Sequence, residues 1–135
     1  MLTDHAKQII RTARRIAVVG LGNSPWRPAY GVASYLQAAG YTILPVHPSG
    51  ESVLGQPAHR TLLDAARAGP IDIVDIFRRS EAIPDLVPDC VAVRPLLVWL
   101  QVGIRHDAAA GQLEAAGIPV VQNRCLAVDH QLLVT

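Results

Sequence analysis

The residues that could do chemistry in this chain stand at the ends of short apolar runs. Gly20-Leu21-Gly22-Asn23-Ser24 follows the run Ile16–Val19, with Arg27 and Pro28 just beyond. A glycine turn between a strand and a helix lets backbone N–H groups approach a phosphate at the helix N-terminus. Pro28 suits the first helical position, where a missing N–H costs nothing. Arg27 can add a charge-assisted bond to a phosphate oxygen. Pro45, His47, Pro48 and Ser49 close a second apolar run, Phe77, Arg78 and Arg79 a third, and Gln101 and Gly103 a fourth. The arginine pair has two readings: one member contacts phosphate or adenine, or both face solvent and bond Asp75 or Glu81. Gln101 and Gly103 suit recognition of an amide at a point of close backbone approach, although loop geometry explains them equally well.

Other reactive residues lack partners. Cys125 follows the last apolar run in Asn123-Arg124-Cys125. A catalytic cysteine needs a base and a stabilised thiolate; nothing in the sequence brings His130, the candidate base, within reach, so a structural cysteine is the preferred reading. Trp99, inside the fourth run, reads as core. Trp26, in the glycine turn, reads as a ligand or partner contact. His106 and His130 are not spaced as a metal pair with further ligands, so no metal is expected. The chain has no Ser-His-Asp order with a nucleophile elbow, no GxxxxGK[ST] and no HExxH, and no catalytic residue is assigned.

The turn matches the dinucleotide fingerprint GxGxxG only in part, because Pro25 stands at the third glycine. That glycine permits close packing of helix on strand. Dinucleotide-binding domains also place an Asp or Glu after the second strand, for the ribose hydroxyls. Here the residues are Pro45-Val46-His47-Pro48, and no acid appears before Glu51. Both features disfavour NAD. NADP, which prefers a basic group there, is less affected.

Five runs read as strands: Ile16–Gly20, Tyr41–Val46, Ile71–Phe77, Leu96–Leu100 and Ile118–Val121. Their near-continuous apolar character predicts strands buried on both faces, as in a parallel sheet. Helices are expected over Thr3–Arg14, over Pro28–Ala39 closed by Gly40, and over Thr61–Ala68. Another should run from a Ser80 cap into Asp85–Val91, made irregular by Pro84 and Pro88. The last, Ala108–Ala116, should be capped by Asp107 and closed by Gly117. Alternating elements imply right-handed crossovers and a single Rossmann-like, doubly wound α/β domain over residues 1–135. The expected strand order is 3-2-1-4-5. The longest irregular piece, His47–His59, leaves the second strand at the sheet edge where ligands usually bind.

Composition sets the outer bounds. The chain has 135 residues, half of them hydrophobic and 17% charged, as in a compact globular protein. No apolar run nears the roughly 18 residues that span a bilayer, and the N-terminus lacks the order of a secretory signal. Two cysteines without CxxC pairing argue for a reducing compartment, so a cytoplasmic protein is expected. Residues 1–50 hold five basic side chains and one acidic, with none acidic between His5 and Gly50. That imbalance favours an anionic ligand near the first turn, or is only the solvated face of a helix from Lys7 to Arg15. Nucleic acid is disfavoured, because the basic residues are few and no aromatic platform accompanies them.

Several blocks, taken together, carry a family resemblance. Val18 to Pro48 reads VVGLxxxPxRPxYxVAxYLxxxGYxIxPVxP. Further on come Val74-Asp75-Ile76-Phe77-Arg78-Arg79-Ser80-Glu81, then Val98-Trp99-Leu100-Gln101-x-Gly103-Ile104, then Asn123-Arg124-Cys125. This pattern, spanning about Ile16 to His130, resembles the small bacterial CoA-binding domain proteins, which are similar to the N-terminal CoA-binding domain of the succinyl-CoA synthetase α subunit. The resemblance implies coenzyme A, or an acyl-CoA, lying along the carboxyl edge of the sheet. Gly20 to Ser24 and Arg27 would meet its phosphates, and Pro45 to Ser49 would flank the nucleotide. Phe77, Arg78 and Arg79 would form a wall, and Gln101 to Gly103, beside the first turn, would meet the pantetheine arm. Two residues depart from the pattern: Gly22 where such proteins often have Ser, and His47 where Asn is common. In the synthetase, chemistry needs a phosphorylated histidine on a further domain and a partner subunit. The resemblance therefore implies a cofactor holder without catalysis of its own, alone or as a homo-oligomer or with a protein partner. The alternatives are an NADP-linked oxidoreductase or a CoA-transfer component acting with a partner.

Overall fold

A computed structural model describes residues 2–135. Its elements run α1 (Asp4–Thr12), β1 (Arg15–Val19), α2 (Pro28–Ala38), β2 (Thr42–Val46), α3 (Leu62–Arg67) and β3 (Ile73–Ile76). A 3₁₀ turn (Ser80–Ala82) then leads into α4 (Ile83–Val93), β4 (Leu97–Leu100), α5 (Asp107–Ala115), β5 (Val120–Val121) and α6 (Leu126–Val134). All five strands are parallel and form one sheet, with helices on both faces. This is the expected doubly wound α/β class.

The order within the sheet is β2-β1-β3-β4-β5. The expected 3-2-1-4-5 put the third strand outside the second. Instead β3 lies beside β1 and separates it from β4. The reason is the face chosen by α3. Leu62 and Ala65 of α3 pack with α4 and α5, whereas α1, α2 and α6 pack on the other side. A right-handed crossover on the opposite face carries the chain back across β1 instead of further outward.

Strand residues alternate between the faces, as period two requires. Ile16, Val18, Ile73, Leu97 and Trp99 meet α1, α2 and α6, while Ala17, Val19, Val74, Val98 and Leu100 meet α3, α4 and α5. Trp99 is buried as expected, its Nε1–H donating to the Arg124 carbonyl at 2.7 Å. The long loop after β2 folds back on itself. His59 N–H donates to the Pro45 carbonyl and the His59 carbonyl accepts His47 N–H, so the loop covers the outer edge of β2.

Three helix starts differ from expectation. Ser80 does not cap α4; its Oγ accepts Arg105 N–H at 3.0 Å, and α4 begins at Ile83 after Ala82. The cap of α5 is His106, whose Nδ1 accepts Ala109 N–H, and Asp107 is the first helical residue. Helix α6 is an addition. Of its inward residues Leu126, Asp129, His130 and Leu133, two are polar, which dilutes its helical pattern. Asp129 is held by Arg124 through two bonds of 2.7 Å, and His130 Nδ1 lies 2.8 Å from Tyr35 Oη.

Candidate functional site

In a sheet of this order the loops after β1 and β3 leave toward opposite faces, so a crevice opens between them at the carboxyl edge. Gly20 and Phe77 are the first residues beyond those two strands, and they touch. Phe77 N–H donates to the Val19 carbonyl and Gly20 N–H to the Val46 carbonyl, each at 2.8 Å. Gly20 has φ +95°, and a Cβ there would stand 2.7 Å from the Phe77 carbonyl oxygen. Only glycine satisfies both conditions.

Two cavities meet over this contact, sharing Gly20, Phe77 and Arg78. One, of about 450 Å³, lies toward β2 among His47, Pro48, Arg60, Thr61, Leu86 and Asp89. The other, of about 540 Å³, runs toward β4 and α6 among Arg27, Ala29, Val32, Arg79, Gln101 and Cys125. Arg27, Arg78 and Arg79 form no ion pair among the described residues. Asp75, the suggested partner of the arginine pair, is fully buried in β3. The cationic reach of the site therefore comes from Arg27, Arg60, Arg78 and Arg79. The basic residues near the N-terminus lie elsewhere: the Arg15 guanidinium bonds the Pro70 and Ala68 carbonyls at the other end of β1. Of Lys7 to Arg15, Lys7 and Arg11 lie on α1, whereas Arg14 and Arg15 lie beyond its end, so they do not form one helix face.

Gln101 is 4% exposed. Its Oε1 accepts Leu126 N–H at 3.2 Å, which fixes the amide's orientation and turns Nε2 away from that bond. Nε2 has no protein partner among the described residues. His47 is oriented likewise. Its Nδ1 accepts Ser49 N–H at 3.1 Å and lies 3.0 Å from Ser49 Oγ. A backbone N–H can only donate, so the neutral ring carries its proton on Nε2. A Cβ at Gly22 would stand 3.0 Å from that Nε2.

The remaining expected site residues are placed differently. Pro45 is buried within β2, opposite Val18. Leu21 is buried in the core, while Gly22, Asn23 and Ser24 form the turn without lining either cavity. Ser49 orients His47, and Gly103 N–H donates to Asn123 Oδ1 at 2.7 Å between the cavity residues Val102 and Ile104. Gln101 is separated from the first turn by Phe77, as the strand order requires. Trp26 is 81% exposed and lines neither cavity. His130 lines a different cavity, with Ile10, Tyr41 and Leu133, so it is not a base for Cys125.

Arg60, Thr61 and Leu86 are cavity residues that sequence reasoning missed. Arg60 and Thr61 enter because His59 pairs back onto β2, a long-range contact without a local signal. No group of three or more His, Cys, Asp or Glu side chains is arranged to hold a metal among the described residues. No helix among them is long and apolar enough to cross a membrane.

The fold and crevice define a Rossmann-like α/β domain of the kind that receives ligands at the carboxyl edge of its sheet. Residues 14–131 match the CoA binding domain family, and the chain belongs to it. An uncharacterised Bacillus subtilis protein, YneT, is 37% identical over 124 residues, covering 92% of this chain and 90% of its own. A Thermus thermophilus protein of solved structure, cell-free ID.343, is 44% identical, with a TM-score of 0.92 over 98% of this chain and 99% of its own. A dinucleotide-forming acetyl-coenzyme A synthetase of Ca. Korarchaeum cryptofilum is 17% identical, with a TM-score of 0.71 over 82% of this chain and 26% of its own. That likeness is one of fold.

Proposed function

We propose that the chain is a single domain that binds coenzyme A or an acyl-CoA across the two joined cavities, without catalysis of its own. The observation that carries this reading is the Gly20–Phe77 contact, flanked on both sides by guanidinium groups that form no ion pair among the described residues. Backbone N–H groups of the first turn, with Arg27 and Arg78, would take the phosphates. The cavity toward β2, with His47 Nε2–H and Arg60, would take the phosphorylated ribose and adenine. The cavity toward β4, with apolar walls and one free amide N–H, would take the pantetheine arm, which has apolar methylenes and two amides.

Calorimetry with CoA, dephospho-CoA and NADP tests the assignment. CoA is expected to bind well below 1 mM, and dephospho-CoA, lacking the ribose phosphate, about tenfold more weakly, the loss of one charge-assisted contact. CoA binding no tighter than about 1 mM would overturn the reading. Tighter binding of NADP than of CoA would replace it with the oxidoreductase alternative.

A further inference from the structure

Cys125 is the N-cap of α6, and its side chain makes no cap hydrogen bond. It is half-buried and lines the cavity toward β4 together with Gln101. The residue after it, Leu126, supplies the N–H that orients Gln101. Among the described residues, one wall of the cavity therefore presents a sulfur without a hydrogen bond and, on a side chain only 4% exposed, an amide nitrogen without a protein partner, both tied to the first turn of the same helix. A structural cysteine sits like Cys90, buried among apolar side chains of α4 with its thiol pushed up to about 12 by burial.

Distance makes the cavity specific for a long thiol. Gly20, Phe77, Gln101 and Cys125 follow successive strands in the sheet order β1-β3-β4-β5. Arg124 N–H donates to the Leu100 carbonyl, which draws Cys125 toward the end of β4. Cys125 thus lies two to three strand intervals from the phosphate turn, about 10–14 Å. The chain from the innermost phosphate of CoA to its sulfur has about twelve bonds. That equals about four extended residues, or about 14 Å. An arm anchored at Gly20 would bring its sulfur to Cys125 and pass an amide carbonyl by Gln101 Nε2 on the way.

We propose that Cys125 is a site of reversible thiolation by CoA disulfide. The Cys125 thiolate attacks one sulfur of the CoA–S–S–CoA bond. The Cys125–S–S–CoA bond forms as the donor disulfide breaks, and the second CoA leaves as a thiolate that takes up the proton given by Cys125. The donor disulfide is the oxidant, so no further reactant is needed. A free thiol reverses the step. The product holds a tethered CoA in the site and excludes free CoA from it. This inference rests on the CoA reading of the cavities.

Exposing the protein to CoA disulfide, and separately to glutathione disulfide, tests it, with intact-mass and peptide analysis over time. CoA adduct is expected on Cys125, at least about tenfold faster than the glutathione adduct, reversed by dithiothreitol and absent from Cys125→Ser. Gln101→Leu should slow only the CoA reaction, since a displaced α6 would alter both. Calorimetry with reduced CoA is run alongside. If CoA binds but Cys125 stays unmodified, reacts equally fast with both disulfides, or yields to Cys90 as the labelled site, the thiolation proposal is overturned and CoA binding stands. If reduced CoA does not bind and the two disulfides react alike, both readings fall.

Discussion

Asp75 offers the sharpest physical test of this fold. It lies in β3 on the same face as Ile73, between Val18 and Trp99 of the neighbouring strands. It is fully buried, and neither carboxyl oxygen has a hydrogen-bond partner among the described residues. An unpaired carboxylate in such surroundings is too costly to persist, so burial holds the acid protonated and its pKa well above 3.8. The unfolded chain has no such constraint. The pH-dependent cost of Asp75 is therefore absent below about pH 3.8 and grows as pH rises, until the folded-state carboxyl itself ionises. Through that window the native state binds one proton more than the unfolded state, so stability falls by about 1.4 kcal/mol per pH unit. That slope is large against the roughly 5–15 kcal/mol typical of a domain. Asp75→Asn keeps the shape and cannot ionise. Urea unfolding of both proteins at pH 4, 5 and 6 gives a difference curve from which other titrating groups cancel. Those include His130, whose pKa is lowered by burial and whose effect has the opposite sign, removing stability as pH falls below 6.5. The variant is expected to gain on the wild type by about 1.4 kcal/mol per unit, whatever its offset. A flat difference curve would show that Asp75 is ionised in the native protein and would refute the reasoning.

Three further outcomes are expected. Gly20→Ala combines φ +95° with a Cβ 2.7 Å from the Phe77 carbonyl. It should cost about 2 kcal/mol in urea unfolding and weaken CoA binding by at least about tenfold in calorimetry. Arg124→Ala strands the buried Asp129 carboxylate and should lower stability by about 2 kcal/mol; Arg124 is partly exposed, which keeps the loss below that of a fully buried pair. Gly22→Ser alone should weaken both folding and CoA binding, and Gly22→Ser with His47→Asn should recover most of each. The coupling expected in the double-mutant cycle is about 1 kcal/mol.

Strands were legible in the sequence because each is a short apolar run, β-branched in most, and the glycines closing α2 and α5 marked their ends. The face on which α3 packs was not legible, because a six-residue helix with Leu62 and Ala65 inward suits either side of the sheet. The strand order followed from that one choice, and it moved the crevice from between β1 and β4 to between β1 and β3. Individual residues at the strand ends were readable where chemistry and position coincide, as for Gly20, Arg27, Arg78 and Gln101. Arg60 and Leu86 were not, because a loop pairing back on β2 and a helix on the far face bring them in. The surplus of basic residues before Gly50 misled for the same reason. Charge counted along the chain does not say at which end of a strand it lies, and Arg15 lies at the wrong end.

Two departures from the family pattern, Gly22 and His47, looked separate in the sequence and are one feature in the fold. Serine at 22 would offer a hydroxyl to a phosphate, and asparagine at 47 would offer an amide to the nucleotide. With glycine at 22, the imidazole of His47 lies 3.0 Å from where a Cβ would be, in space a serine side chain would contest. Ser49 takes the Nδ1 side of the ring, so the proton faces the turn from Nε2. A donor lost on one side of the turn would thereby be replaced from the other by a ring held through two contacts at its Nδ1. The exchange has a chemical consequence. A serine hydroxyl donates or accepts as its partner requires, whereas this N–H only donates. On the proposed CoA reading, the turn would accordingly be more narrowly fitted to an anion than the pattern from which it departs.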